Sequence, residues 1–315
     1  MKIIGFDYPC MDLNILCPRV PVEEELVEVQ DISLMGGGKV ANAIAAAARL
    51  GAKTAFIGAV GNDRYGRLCR EDLREHGVDV SGLQIRGGRT SFCVSIVDSV
   101  KRGKHYIEYA STVPLWRKSD IPYEIFEPGD YLMLYQMDET AAFMAEYVHK
   151  AGGKVVVDGD EYDERTQENL KNTDIFIMSE YYYSHLFEDE NYAENLASMA
   201  KTGPEVILVT LGSKGCAGYD HGVYFRTEPY HVDICDTTGA GDVFHGAFTC
   251  GISEGMSASG AAAFASAVSA VKCTILGGRT GIPTRECVEQ FRKSGKIPAC
   301  DFVEREKKYR EDFWK

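Results

Sequence analysis

Residues 233 to 252, DICDTTGAGDVFHGAFTCGI, hold the groups best suited to chemistry. Gly239, Ala240 and Gly241 are small enough for successive backbone N–H groups to approach a ligand. Phe244, Ala247 and Phe248 follow at the spacing of a helix packed on a core. A small-residue turn opening a helix is an anion hole, and one preorganised donor of this kind lowers a barrier by about 2.7–4 kcal/mol. Asp242 stands in the first turn, where a carboxylate can accept the proton of an attacking hydroxyl beside the anion-binding amides. Those are the two parts that phosphoryl transfer to an alcohol requires. The plainer alternative is that Asp242 only complements the helix dipole, and spacing alone leaves both open.

A second stretch, SLMGGGKVANAIAAAARLGAKTAFIGAVGND (33 to 63), is also glycine-rich. Gly36, Gly38 and Ala41 fit GxGxxA, yet the following strand ends in GAVG rather than in the acidic residue a dinucleotide fingerprint needs. The Walker pattern fails too, with Ser33 in place of its first Gly and Val40 in place of its magnesium-binding hydroxyl. Lys39 and Asn42, about one helical turn apart, could face a polyhydroxylated ligand, and Asn offers both donors and an acceptor. A glycine turn capping an Ala-rich packing helix explains the same residues.

These groups need elements to hold them. Short β-branched or aliphatic runs recur at 2–6, 53–60, 131–135, 154–158, 174–179 and 205–212, with segments of helical periodicity between them that mostly end in Gly. This rhythm predicts an α/β fold with a doubly wound, mostly parallel sheet flanked by helices. Alternating polar and apolar residues at 27–34 and 90–111 predict strands with one solvated face, a small antiparallel β lid inserted at about 12–36 and 88–112 of a single 1–315 domain. The charged run at 304–315 reads as a solvated helix.

Together, GGGKVANAIAAAARLGAKTAFIGAVGND and DTTGAGDVFHGAF resemble the two signatures of the ribokinase-like (PfkB) carbohydrate kinases, and the order of elements matches along the whole chain. The resemblance implies an ATP-dependent kinase that phosphorylates a hydroxyl of a small sugar, pentose or hexose, with magnesium. It makes Asp242 the catalytic base and assigns Gly239, Ala240, Gly241 and the Asp242 amide to the anion hole. Gly37, Gly38, Lys39 and Asn42 match acceptor-sugar positions. Asp12 matches an aspartate that grips sugar hydroxyls, with Asp7 the lesser candidate because the GFDYPCMD spacing is two residues longer than the common form. Asp138 matches a sugar-side position where Glu is more usual. Thr210, Gly212, Ser213 and Gly215 of TLGSKG, with Ser266 on GAAAFASAVSAV and Ser179, match the nucleotide side. Asp236 and Thr238 match a loop that in several members holds a monovalent cation, which adds K+ to the expected cofactors. One departure stands out: where many members carry Asn-x-x-Glu this chain has Ser179, Glu180, Tyr181 and Tyr182. Either Glu180 compensates, or magnesium is held mostly by nucleotide and water.

Composition narrows the field. Lys plus Arg is 34 against 47 for Asp plus Glu, a net charge of −13, so nothing pulls the chain toward nucleic acid or anionic lipid. Ten scattered cysteines without CxxC read as reduced thiols, and the N-terminus lacks the apolar stretch of a signal peptide, so the expected location is cytoplasmic. The lid strands would expose edges, and a homodimer paired through the lid is expected. Competing readings are a nucleoside kinase, with Phe92, Tyr106 and Tyr109 around a base, a non-catalytic sensor on the same fold, and a nicotinamide-dependent dehydrogenase resting only on GxGxxA.

Overall fold

The computed structural model describes residues 1–315. Thirteen strands run in chain order as β1 (Ile3–Asp7), β2 (Cys10–Cys17), β3 (Asp31–Gly36), β4 (Thr54–Gly61), β5 (Leu83–Arg86), β6 (Ser91–Asp98), β7 (Lys104–Tyr109), β8 (Tyr131–Leu134), β9 (Lys154–Gly159), β10 (Ile175–Ser179), β11 (Val206–Thr210), β12 (Cys216–Asp220) and β13 (Val223–Thr227). The helices are α1 (Lys39–Arg49), α2 (Arg64–Glu75), α3 (Glu139–Lys150), α4 (Glu164–Glu168), α5 (Glu180–Leu186), α6 (Tyr192–Met199), α7 (Ala240–Ser253), α8 (Ala258–Lys272), α9 (Arg285–Ser294) and α10 (Phe302–Trp314). No helix is long and apolar enough to cross a membrane.

Nine strands form one sheet in the order β13-β12-β11-β10-β9-β8-β1-β4-β5, parallel from β11 to β5 and antiparallel at β12 and β13. Its inner strands are continuously apolar because both faces are covered. Ile3 and Phe56 join the cluster under α1, α7 and α8, while Ile4 and Ile57 join the cluster under α3 and α6. The chain leaves β1 toward β4 on one side and reaches β8 on the other, so the strand order switches at β1 and a crevice opens beyond the carboxyl ends there.

The remaining strands form a lid sheet, β3-β2-β6-β7. It differs from the wholly antiparallel lid expected from the sequence: β2 and β6 pair in parallel between antiparallel outer strands. Each of them follows a strand of the large parallel sheet, so both leave it in the same direction. Residues 27–30 lie outside any strand, and β3 begins at Asp31. The charged run at 304–315 is helical but not merely solvated. Tyr309 is buried against Asp72 of α2, and Arg310 grips Asp31 of β3 at 2.8 and 2.7 Å, which seats α10 behind the lid.

Candidate active site

Helices α1 and α7 touch closely because Gly246 has no side chain; a Cβ there would lie 1.9 Å from the Ala43 carbonyl oxygen. This contact brings Asn42 of α1 to Asp242 of α7, and the Asn42 Nδ2 donates to Asp242 Oδ2 at 2.8 Å. The amide of Asn42 is oriented from behind. Its Oδ1 accepts from Nε of the fully buried Arg279 at 2.8 Å, and Arg279 also donates to the Gly37 carbonyl at 2.9 Å and to Asp72. Asp72 completes the cluster by accepting from the Tyr309 hydroxyl at 2.6 Å. Burial penalises the Asp72 carboxylate, but the adjacent Arg279 guanidinium overrides it and holds the group below the usual carboxylate range.

The turn into α7 is held by Gly239 at φ 71°, a left-handed conformation open to glycine at no steric cost. Beyond it the N–H of Ala240 is returned to the Thr237 carbonyl at 3.1 Å, while those of Gly241 and Asp242 have no main-chain partner one turn earlier, and both residues line the crevice. Asp242 lies half-buried beside these amides. Burial, reinforced by the nearby Asp158 carboxylate, pushes its carboxyl up to about 6, while Lys39 and Asn42 pull the other way. Burial likewise pushes Asp7, at the end of β1, up to about 7.

Two adjoining cavities meet at this turn. The larger, about 630 Å³, brings together Asp12, Gly38, Lys39, Asn42, Gly239, Ala240, Gly241 and Asp242, with Ser179 and Thr210 at its rim. Asp12 of β2 is buried and its Oδ1 accepts from the Cys10 thiol at 2.9 Å, and burial raises its carboxyl. Lys39 pairs with Asp160 and sits 4.7 Å from the centre of the Tyr135 ring. Tyr106 of β7 reaches in from the lid. Two expected sugar-side residues do not line the cavity. Gly37 lies behind it, under Arg279. Asp138 caps α3, its Oδ1 accepting from the Ala141 N–H at 2.7 Å, because the chain turns into the helix right after β8; Tyr135 and Gln136 face the cavity instead. Phe92, considered above for a nucleoside base, stacks on Tyr65 with ring centres 4.9 Å apart. Tyr109 is half exposed.

The second cavity, about 430 Å³, collects Thr210, Gly212, Ser213, Gly215 and Ser266 with Ala240 and Gly241 at the shared edge. All the nucleotide-side positions expected from the sequence therefore fall in it, except Ser179, which caps α5 and donates to the Asp160 carbonyl at 2.7 Å in the larger cavity. Glu180 does not compensate for the missing glutamate of Asn-x-x-Glu. Placed on the first turn of α5, it points out to Lys214, 3.0 Å away, and lines neither cavity.

The carboxylates that line the crevice at and just beyond the carboxyl end of β9 are Asp158, Asp160 and Glu161, with Asp160 paired to Lys39. Asp158 Oδ2 lies 3.0 Å from Nδ1 of His245, one turn beyond Asp242 on α7. Burial lowers the imidazole, yet the Asp158 carboxylate outweighs it and leaves His245 raised. Asp158 Oδ1 is buried with no hydrogen-bond partner, an acceptor suited to a cation or its water. Sequence reasoning missed both, although Asp158 ends a strand that it identified and His245 stands three residues after Asp242, on the same helix face. No group of three or more acidic, His or Cys side chains is gathered to hold a metal ion by itself. Last, the seat expected for a monovalent cation is filled from within the chain. The carbonyl oxygens of Asp236 and Thr238 both accept from Nζ of Lys272.

A family model described as pfkB family carbohydrate kinase matches residues 2–285. The chain is similar to a ribokinase of Bacillus subtilis, 26% identical over 294 residues that cover 89% of this chain and 96% of that one. It is also similar to a probable fructokinase of Arabidopsis thaliana, 29% identical over 235 residues and 67% of each chain. Among solved structures, a ribokinase from Thermotoga maritima superposes with a TM-score of 0.81 at 25% identity, covering 93% of this chain and 99% of that one. Arabidopsis ribokinase complexed with ribose and ATP superposes with 0.77 at 25% identity, covering 93% and 98%.

Proposed function

The chain belongs to the pfkB family of carbohydrate kinases and is an ATP-dependent sugar kinase; from that premise we propose how it works and on what. The acceptor is a small sugar, a pentose or hexose, seated in the larger cavity between Asp12, Lys39 and Asn42. Asp242 takes the proton of the attacking hydroxyl, and the free amides of Gly239, Gly241 and Asp242 stabilise the charge on the moving phosphoryl group, the Ala240 amide being returned to the Thr237 carbonyl. The nucleotide lies in the adjoining cavity, so its terminal phosphate meets the acceptor at the Gly241 edge that both share.

The observation that carries this reading is the Asn42–Asp242 hydrogen bond at the junction of the two cavities. A carboxylate that served only the helix dipole would need no buried, doubly anchored amide to aim it. Its raised carboxyl, near 6, also suits a base that must bind a proton transiently. Magnesium arriving with ATP supplies charge neutralisation at the phosphates. Asp158 Oδ1, which has no other partner, would suit a hard cation that keeps most of its waters, whereas Asp160 is already paired with Lys39. Tyr106 and the rest of the lid close over the sugar and exclude water, which protects ATP from hydrolysis.

We read residues 1–315 as one catalytic unit with its lid, and the exposed edge strand β7, with Ile107 and Tyr109 facing outward, supports pairing of two lids in a homodimer. Light scattering tests the dimer. The function is tested by incubating the protein with ATP, magnesium and a panel of pentoses and hexoses and measuring sugar phosphate. Product from none of them overturns the reading, and an Asp242→Asn protein as active as the parent removes the mechanism.

A further inference from the structure

Lys272 ends α8, is wholly buried, and makes no side-chain ion pair within reach of its ammonium. Its Nζ instead donates to two main-chain carbonyls of one short loop, Asp236 at 3.1 Å and Thr238. The Asp236 carboxylate is turned away to backbone amides, accepting from Thr238 N at 2.8 Å and Gly277 N at 2.7 Å. The intervening carbonyl, Thr237, accepts from Lys104 at 3.3 Å and from the Ala240 N–H at 3.1 Å. Carbonyls two residues apart that converge on one point repel each other unless a positive charge sits between them. A lysine ammonium with three donors and no acceptor fills that role, and the carboxyl end of α8 favours a cation there.

We infer that Lys272 is a built-in substitute for a soluble monovalent cation and a positioning residue for the anion hole, so that catalysis here is independent of K+. This rests on the sugar-kinase reading for its catalytic part. A dehydrated alkali ion is held by main-chain carbonyls, the same groups that Lys272 occupies, and two like charges do not share one seat. The expected potassium therefore does not fit these residues. The link to catalysis is geometric. In a planar trans peptide the C=O and the following N–H point to opposite sides, so drawing the Thr238 carbonyl onto Lys272 aims the Gly239 N–H the other way, at the mouth of α7. Lys272 touches no substrate and acts through that peptide.

The test uses the full chain with magnesium and ATP. For the parent, the rate of sugar phosphorylation agrees within about twofold in potassium, sodium and tetramethylammonium salts of equal ionic strength. Crystals soaked in thallium(I) show no anomalous peak at the 236 and 238 carbonyls. For Lys272→Ala, kcat falls by about tenfold or more while the sugar KM stays within about twofold, as loss of anion-hole alignment demands. Potassium, ammonium or ethylammonium restores part of it, and thallium(I) now binds at the carbonyls. Activation of the parent by potassium, a thallium peak in the parent, or an unchanged kcat in a folded Lys272→Ala protein each overturns the inference. If the variant does not fold, the parent's salt series and thallium soak still decide. If no sugar is phosphorylated, the sugar-kinase reading fails separately, while the thallium soak continues to judge whether Lys272 holds the cation's place.

Discussion

The turn into α7 and the lid strand β7 face each other across the same crevice and are built in opposite ways. In the turn, three consecutive carbonyls are held by lysines, the Asp236 carboxylate by two amides, and Asp242 by an amide that Arg279 holds in turn. Strand β7 is exposed at all six residues and pairs on one side only, with β6. The difference teaches where each kind of work is done. Charge stabilisation needs donors that do not reorganise as the reaction proceeds, and the turn is fixed by more bonds than its conformation requires. In the proposed mechanism, admission and enclosure of the sugar need an element whose opening costs little, and β7, exposed along its whole length, has few buried contacts to lose.

Removing the proposed base is the harshest way to break this contrast. Asp242→Asn keeps the hydrogen-bonding shape and is expected to lower kcat by about 10²- to 10⁴-fold with little change in sugar KM, measured by steady-state kinetics. Removing the support behind it comes next. Arg279→Met leaves Asp72 buried without its partner and frees the Asn42 amide to turn, so urea unfolding should show a loss of about 3–5 kcal/mol, accompanied by a lower kcat.

Acidification sharpens the comparison, because it reaches the carboxylate of the turn itself. Asp242 must be ionised to accept a proton, so kcat/KM should fall as the pH drops through about 6. Stability moves the other way. The folded-state values of Asp242 and Asp7 lie above their ordinary value of 3.8, so the fold binds these protons more tightly than the unfolded chain does. Their contribution to stability therefore grows as the pH falls through about 7 and 6 toward 4. Asp242→Asn should accordingly be more stable than the parent at pH 8 and lose that advantage near pH 4, read from urea midpoints. The mildest effect is expected at the lid. Tyr106→Ala should raise sugar KM by about two- to fivefold and increase ATP hydrolysis without sugar, with kcat nearly unchanged.

The same contrast explains what could be read from the sequence. The strands of the large sheet are legible because burial on both faces demands unbroken apolar runs such as KVVV and VILV. The α7 turn is legible because its glycines and Asp242 are neighbours in the chain. Strand β2 and the parallel centre of the lid were not, since CMDLNILC mixes polar and apolar residues and its partner strand lies about 80 positions away. Lys272 reads as an ordinary basic residue in a last helical turn, and Arg279 as a loop arginine. Only tertiary burial distinguishes either from its exposed counterparts. Asp138 shows the converse: a position can match a motif in order while local capping claims its side chain.

The buried cluster behind the base joins Gly37, Asn42 and Asp72 to Asp242, Arg279 and Tyr309, partners separated by 200 to 242 positions along the chain. A ribosome that has delivered the first two hundred residues has made most of the sheet but no working catalyst. Until Arg279 and Tyr309 emerge and dock, Asn42 has nothing to steady it and Asp72 has no counter-charge. A chain that has not yet added α7 therefore lacks the proposed base and the turn beside it, however much of the sheet has formed.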